Sequence, residues 1–280
     1  MNTNNNFYTV IYTTVIVVVV AAILAFVSQS LKQRQEDNEK ADTIAQMMTA
    51  AGFGTKAEFQ AMGNAAVIDK YAAEIDKAYL VGVSGEKVED LGLNEVFSPS
   101  RLKAQNYLLK GDRASARIPV FEFKKDGIRV VPIYGAGLWG PVWGYIALAK
   151  DNTIIGAYFD HESETAGLGA KIKDDPAFQA EFKGAIPEFT SENVFEIVKG
   201  GAPLDAEGND IADNKIDAIT GAKMTSQGLE KAIDIWLAAY AKYFTGSQIA
   251  PSAPLVQEDS VTVLSGEAAG EVEKSNKKEE

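Results

Sequence analysis

The chain of 280 residues contains no cysteine. That excludes disulfides, iron–sulfur clusters, thiolate zinc sites and cysteine nucleophiles. It has one histidine, His161, so no histidine cage for a metal can form within one chain, and any Ser-His-Asp triad would have to use that imidazole. Positive charge is scarce: 27 Lys and Arg stand against 39 Asp and Glu, for a formal net charge of -12. Phosphate backbones demand clustered positive charge, so no nucleic-acid partner is expected. Hydrophobic residues at 46% and charged residues at 24% are normal for a folded protein and exclude wholesale disorder.

Charge is also missing from one place. No residue from Met1 to Leu31 is charged, and Thr9 to Val27 is a continuous, largely apolar run. A helix of that length spans ~28 Å, close to the hydrocarbon thickness of a bilayer. A cleaved signal peptide would have a basic leader and a shorter apolar core. Met1–Phe7 has no Lys or Arg, so an uncleaved transmembrane anchor in the lipid bilayer is expected. Lys32 and Arg34 follow the span and nothing positive precedes it. By the positive-inside tendency alone, the bulk of the chain would face the cytoplasm.

Beyond the span, Ser30–Ala51 is polar and helix-prone. Ile44, Met47, Met48 and Ala51 recur at helical spacing, and Gly52 and Gly54 end the run. A second mixed helical stretch covers Lys56–Lys77. From Ala78 the texture becomes β-rich. Tyr79–Val83, Arg117–Phe123, Ile128–Ile133, Val142–Ala149 and Thr153–Phe159 read as strands, joined by turns such as Lys125-Asp126-Gly127 and Asp151-Asn152. A short helix is expected within Asp174–Lys183 and another strand at Phe195–Val198. Leu229–Phe244 is the clearest helix after the anchor, with Leu229, Ile233, Trp236, Leu237 and Tyr240 on one face. The expected organisation is an anchor (1–31), a helical stalk or linker (32–77), an α+β domain with an antiparallel sheet closed by a C-terminal helix (78–245), and a disordered acidic tail (246–280).

Three segments carry chemistry. The first, DAITGAKMTSQG, covers Asp217–Gly228 ahead of the last helix. Gly221 permits a sharp turn, Thr225 and Ser226 stand where N-cap hydroxyls belong, and Lys223 adds a cation. A helix start of this kind suits a phosphate, although an ordinary capped helix after a glycine turn has the same pattern. The second, HESETAGLGAK, covers His161–Lys171. Gly167 and Gly169 around Leu168 suggest a tight loop with free N–H groups, or simply a glycine-rich connection. His161 beside Glu162 and Glu164 is a candidate acid/base group or a solvated loop residue. The third, GAGLWGPVWGY, covers Gly135–Tyr145. Leu138 and Trp139 offer an apolar wall for a flat ring, unless the aromatics only pack a bent hairpin.

Together the three segments resemble a known family. DAITGAKMTSQG is similar to the flavinylation motif of the FMN-binding domain, D-x-x-S/T-G-A-S/T-x-T-S. ETAGLGAKI resembles its ETPGLG loop, and IYGAGLWGPVWGYIAL resembles the strand before that loop. With an anchor ahead of all three, residues 8–245 resemble the NqrC family, one of the flavin-bearing components of Na+-translocating NADH:quinone oxidoreductases. The related flavinylated component of Rnf-type ferredoxin:NAD electron-transport complexes, RnfG, shares the domain and is the alternative; a non-redox anchored scaffold is a more distant one. The resemblance implies an electron-relaying flavoprotein of the bacterial inner membrane, single-pass, with its flavin domain on the periplasmic side. Its partners would be the other subunits of the complex and a flavin transferase. NADH oxidation, quinone reduction and the Na+ path would lie on those other subunits, leaving no catalytic residue here.

The resemblance also implies a covalent FMN, joined through its phosphate to a threonine. Lys223 stands where Ser or Thr is usual, so the choice of hydroxyl narrows to Thr225, with Thr220 second because its position suits shaping the turn. Were 223 the family's acceptor position, this chain would lack the flavin. The cofactor-binding set is therefore Thr225, Thr220, Gly221, Ala222, Lys223, Ser226, Glu164, Thr165, Gly167, Leu168, Gly169, Leu138 and Trp139. No metal ligand set is expected.

Overall fold

A computed structural model describes residues 6–92, 95–191, 193–201 and 212–246. The expected tail lies outside the described residues except for Gly246. One unbroken helix, α1 (Asn6–Ala50), forms the N-terminal part. It contains no Gly or Pro, so nothing in it interrupts the backbone ladder. Its most apolar window has a mean hydropathy of 2.9 and none of that window is buried in the protein, which excludes a core helix. Apart from the half-buried Tyr8, the described side chains stay exposed through Glu39. From Ala41 onward the helix docks: Ile44, Met47, Met48 and Ala51 are buried as their spacing predicts, and so are Thr43 and Gln46.

Two short helices brace this docked end. Thr55 opens α2 (Lys56–Met62) with a capping box, its hydroxyl accepting from the Glu58 N–H while the Glu58 carboxylate accepts from the Thr55 N–H. Next comes α3 (Asn64–Glu74), and together the two bury Phe59, Val67 and Tyr71. Residues 41–75 of the segment read as a stalk thus pack into the hydrophobic core of the body.

A six-stranded sheet forms the middle layer. Its strands are β1 (Ile75–Gly82), β2 (Lys87–Asp90), β3 (Arg117–Phe123), β4 (Arg129–Ala136), β5 (Pro141–Leu148) and β6 (Ile154–His161). They are antiparallel in the order β2-β1-β3-β4-β5-β6. The β3–β4 turn puts Asp126 (φ 55°) and Gly127 (φ 63°) in the left-handed region, which the Asp-Gly pair tolerates. Helix α4 (Pro99–Lys110) connects β2 to β3 and packs on β4. After β6 come the short helices α5 (Lys171–Asp174) and α6 (Pro176–Ala180). A parallel pair follows, β7 (Glu196–Val198) and β8 (Lys215–Asp217), which strand periodicity alone does not reveal.

The last described element, α7 (Lys223–Thr245), starts six residues before the expected Leu229. Its apolar stripe, Leu229, Ile233, Trp236, Leu237 and Tyr240, is fully buried. The Trp236 indole N–H donates to the Tyr134 carbonyl (2.9 Å) and to Asn106 Oδ1 (3.2 Å), and the Tyr240 hydroxyl donates to the Pro119 carbonyl (2.7 Å). Two helices therefore cover opposite faces of the sheet. Gly135 faces α7, since a Cβ there would lie 2.5 Å from Ala232 Cβ. Trp143 and Asp160, cross-strand partners, face α1: Gln46 accepts from the Trp143 indole (3.2 Å) and donates to Asp160 (3.1 Å). The architecture is α+β, as the order of elements implies.

Candidate functional site

The three glycine-bearing segments converge at one end of the sheet. They are the β4–β5 hairpin loop, the loop after β6 and the entry to α7. Gly228 brings the first two turns of α7 onto the hairpin, because a Cβ there would meet the Ala136 carbonyl oxygen at 2.3 Å and Gly137 Cα at 3.2 Å.

Glu164 joins all three segments. Its residue is 7% exposed. One carboxylate oxygen accepts from the Trp139 N–H of the hairpin (3.0 Å), and the other accepts from the Thr225 hydroxyl of α7 (2.7 Å). Its own N–H donates to His161 Nδ1 (3.1 Å). His161 therefore serves as a backbone acceptor that shapes the loop, and its proximity to the carboxylates in sequence does not build an acid/base pair. Glycine makes room for the carboxylate. A Cβ on Gly137 would lie 2.3 Å from Glu164 Oε1, and one on Gly169 would lie 2.4 Å from Oε2 and 2.6 Å from Thr225 Oγ1. Ser163 adds a strut, its hydroxyl donating to the Trp139 carbonyl (2.8 Å).

Several expectations change at this point. Thr225 and Ser226 are not N-caps. The N-cap is Ala222, which has no capping side chain, and the two hydroxyls lie in the first turn of α7. Ser226 Oγ accepts from the Ile219 N–H (3.1 Å) and so closes the turn of the motif back on the helix. The loop around Leu168 does not present a row of free N–H groups either, since the Leu168 and Ala170 N–H groups both donate to the Thr165 carbonyl (3.1 and 3.0 Å). Gly221 (φ 83°) provides the expected sharp turn, and a Cβ there would stand 3.1 Å from Leu168, so the second and third loops touch.

Exposure divides the motif. Thr225 is 1% exposed and Ala222 is buried, whereas Thr220, Gly221, Lys223 and Met224 are exposed. The Thr225 oxygen is buried and already bonded to Glu164. That departs from the expected ester position. Around it stand four large apolar side chains open to solvent: Leu138, Trp139 (66% exposed), Leu168 and Met224. The first three were expected at the site. Met224 was not, because its exposure follows from α7 starting early. Thr165 and Gly167 lie exposed on the same loop as Leu168. An apolar rim beside a helix start and the Lys223 side chain fits a planar ring and a phosphate.

Comparison with known proteins bears on the same part of the chain. The FMN-binding domain family matches residues 137–238, a stretch that begins in the hairpin loop and takes in the later two segments. The NqrC component of the Na(+)-translocating NADH-quinone reductase of Parabacteroides distasonis, a solved structure, is 32% identical. It aligns with 78% of this chain and 98% of its own, with a TM-score of 0.58. The chain belongs to the NqrC family of Na+-translocating NADH-quinone reductases. A second solved member, NqrC of Shewanella oneidensis, shares the fold at 24% identity and a TM-score of 0.56 over 74% of this chain and 96% of that one. The corresponding component of the reductase of Vibrio vulnificus strain YJ016 is 28% identical over 179 residues, which is 62% of this chain and 60% of that family member's own length.

Proposed function

We propose that this NqrC family member is a membrane-anchored flavoprotein that relays electrons inside a Na+-translocating NADH:quinone reductase. The observation that carries the reading is the coincidence of the FMN-binding match with the place where Glu164 ties three loops under an exposed apolar rim. FMN, when bound, supplies reversible one- and two-electron redox chemistry. The chain's own residues have simpler tasks. Leu138, Trp139, Leu168 and Met224 offer surface for the ring, Lys223 offers charge for the phosphate, and Glu164 holds the loops in register. The expected ester from Thr225 would require its bond to Glu164 to break and the 161–170 loop to withdraw, so this reading rests on FMN binding and not on that bond.

The exposed apolar part of α1 crosses the bilayer, with the flavin domain on the periplasmic side and the other components of the complex as partners. Support for the anchor is the charge-free run and its lack of burial; support for the side is the family resemblance, against the weak bias of Lys32 and Arg34. Two measurements test the proposal. Full-length protein purified with its native membrane partners should show a flavin absorbance spectrum that NADH bleaches; a colourless preparation overturns the flavoprotein reading. Alkaline phosphatase fused after Thr245 should be active, and an inactive fusion overturns the orientation.

A further inference from the structure

We infer that this chain holds its flavin without a covalent bond, because the exposed position at the start of its last helix carries Lys223 in place of a hydroxyl. The inference rests on the flavoprotein reading above and concerns how the cofactor is retained.

A phosphoryl group can be delivered only to an oxygen that a second protein can reach. In the first turn of α7 the side chains alternate sharply in exposure: Lys223 and Met224 point to solvent, whereas Thr225 and Ser226 are each 1% exposed. Both buried hydroxyls are also engaged. Thr225 donates to Glu164 (2.7 Å) and Ser226 accepts from the Ile219 N–H (3.1 Å). Freeing Thr225 would leave the buried Glu164 carboxylate short of a donor. Position 223 has the opposite character. It is the first residue of α7, it is exposed, and the exposed Met224 follows it directly. The motif of the family has Ser or Thr there. In this chain an arriving flavin phosphate meets a lysine, which attracts it and offers no hydroxyl to esterify. Thr220 is exposed too, but it precedes the Gly221 turn and lies outside α7, away from the helix start that suits a phosphate.

The test uses the full chain, co-produced with a flavin transferase and a flavin dinucleotide supply. Trypsin cuts after Lys215, Lys223 and Lys231, so Thr220 and Thr225 fall in separate peptides, 216–223 and 224–231. In the unaltered chain both peptides should have their unmodified masses, and a denaturing gel should be dark under blue light. The native protein should nevertheless be yellow and release FMN on denaturation. The Lys223→Thr variant should gain covalent FMN, located on its fused peptide 216–231. There the new Oγ–P bond forms as the pyrophosphate P–O bond of the dinucleotide breaks; the nucleoside monophosphate leaves with the bonding pair and the hydroxyl proton passes to the transferase or to water. FMN found covalently on peptide 216–223 or 224–231 of the unaltered chain overturns the inference and leaves the flavoprotein reading intact. A Lys223→Thr variant that stays bare, while the same transferase labels a family member with a hydroxyl at that position, overturns it as well. Native protein with neither bound nor released flavin instead defeats the flavoprotein reading itself.

Discussion

Gly228 is where helix propensity and packing make opposite predictions, which makes Gly228→Ala a sharp test of the site's construction. Gly228 lies inside α7 without a positive φ, so its backbone suits alanine. Propensity alone would stabilise the helix by ~1 kcal/mol. Packing opposes this. The new methyl would stand 2.3 Å from the Ala136 carbonyl oxygen and 3.2 Å from Gly137 Cα, both backbone atoms that no rotamer change can move. Nonbonded atoms rest at about 3.5 Å, so the start of α7 and the hairpin must part by roughly 1 Å. Overpacking of this kind costs ~1–3 kcal/mol, and a clash with backbone belongs near the upper end. The net expectation is a loss of ~2 kcal/mol, or a melting temperature lowered by ~4–8 °C for a domain of about 200 residues. The assay is thermal unfolding of the detergent-solubilised full chain, followed by near-UV circular dichroism. FMN affinity should fall in parallel, because Trp139 and Met224 lie on the two elements that separate. An unchanged or higher melting temperature would mean that propensity wins and that α7 is not pressed against the hairpin.

Glu164→Ala leaves the Trp139 N–H and the buried Thr225 hydroxyl without their acceptor, so it should cost ~2 kcal/mol and weaken FMN binding. Glu164→Gln should recover most of that loss, since its carbonyl can face the Trp139 N–H while its amide donates to the threonine; equal losses in the two variants, by the same melts and an FMN titration, would refute the role given to the carboxylate. Asp234 concerns stability against pH. Burial raises its carboxyl to about 7, with Glu230 and Glu196 pushing the same way and the backbone N–H groups of Phe195 and Val194 opposing. A raised folded value means the neutral form is favoured in the folded protein, so the contribution is complete below about pH 4 and lost as pH rises through 7. Allowing for partial solvent screening, the wild type should lose ~1–2 kcal/mol across that window through this group. Asp234→Asn, always neutral and still able to accept from the Phe195 N–H, should flatten the slope; parallel slopes from pH 5 to 8 would show that Asp234 does not titrate as stated.

Local rules were sufficient wherever an element's own side chains set its fate. The charge-free run of residues 1–31 specified a long exposed helix, because length and transfer free energy are properties of composition. Strand β3 falls on the predicted residues, and β4, β5 and β6 lie within a few residues of theirs, since alternation and turn dipeptides act over short distances. Ile44, Met47, Met48 and Ala51 signalled a buried stripe, yet nothing local said that the stripe docks on β5 and β6, so the segment read as a stalk. Strand β7 falls within the expected Phe195–Val198, but β8 and its parallel pairing were hidden, because the partners lie far apart in sequence and pairing is a tertiary event.

At the candidate site the division is sharper. The sequence by itself determined which three segments matter, through their glycines, aromatics and hydroxyls, and the resemblance they carry pointed to FMN. Only the tertiary structure decided what each residue does there. It turned Glu164 from a possible acid into a tie between loops and made His161 its backbone support. It started α7 early enough to expose Lys223 and Met224 while burying Thr225. The physical reason is that exposure and hydrogen-bond partnership depend on which distant backbone comes alongside, here the hairpin that Gly228 admits and the loop that Gly169 admits, and no window along the chain contains that information.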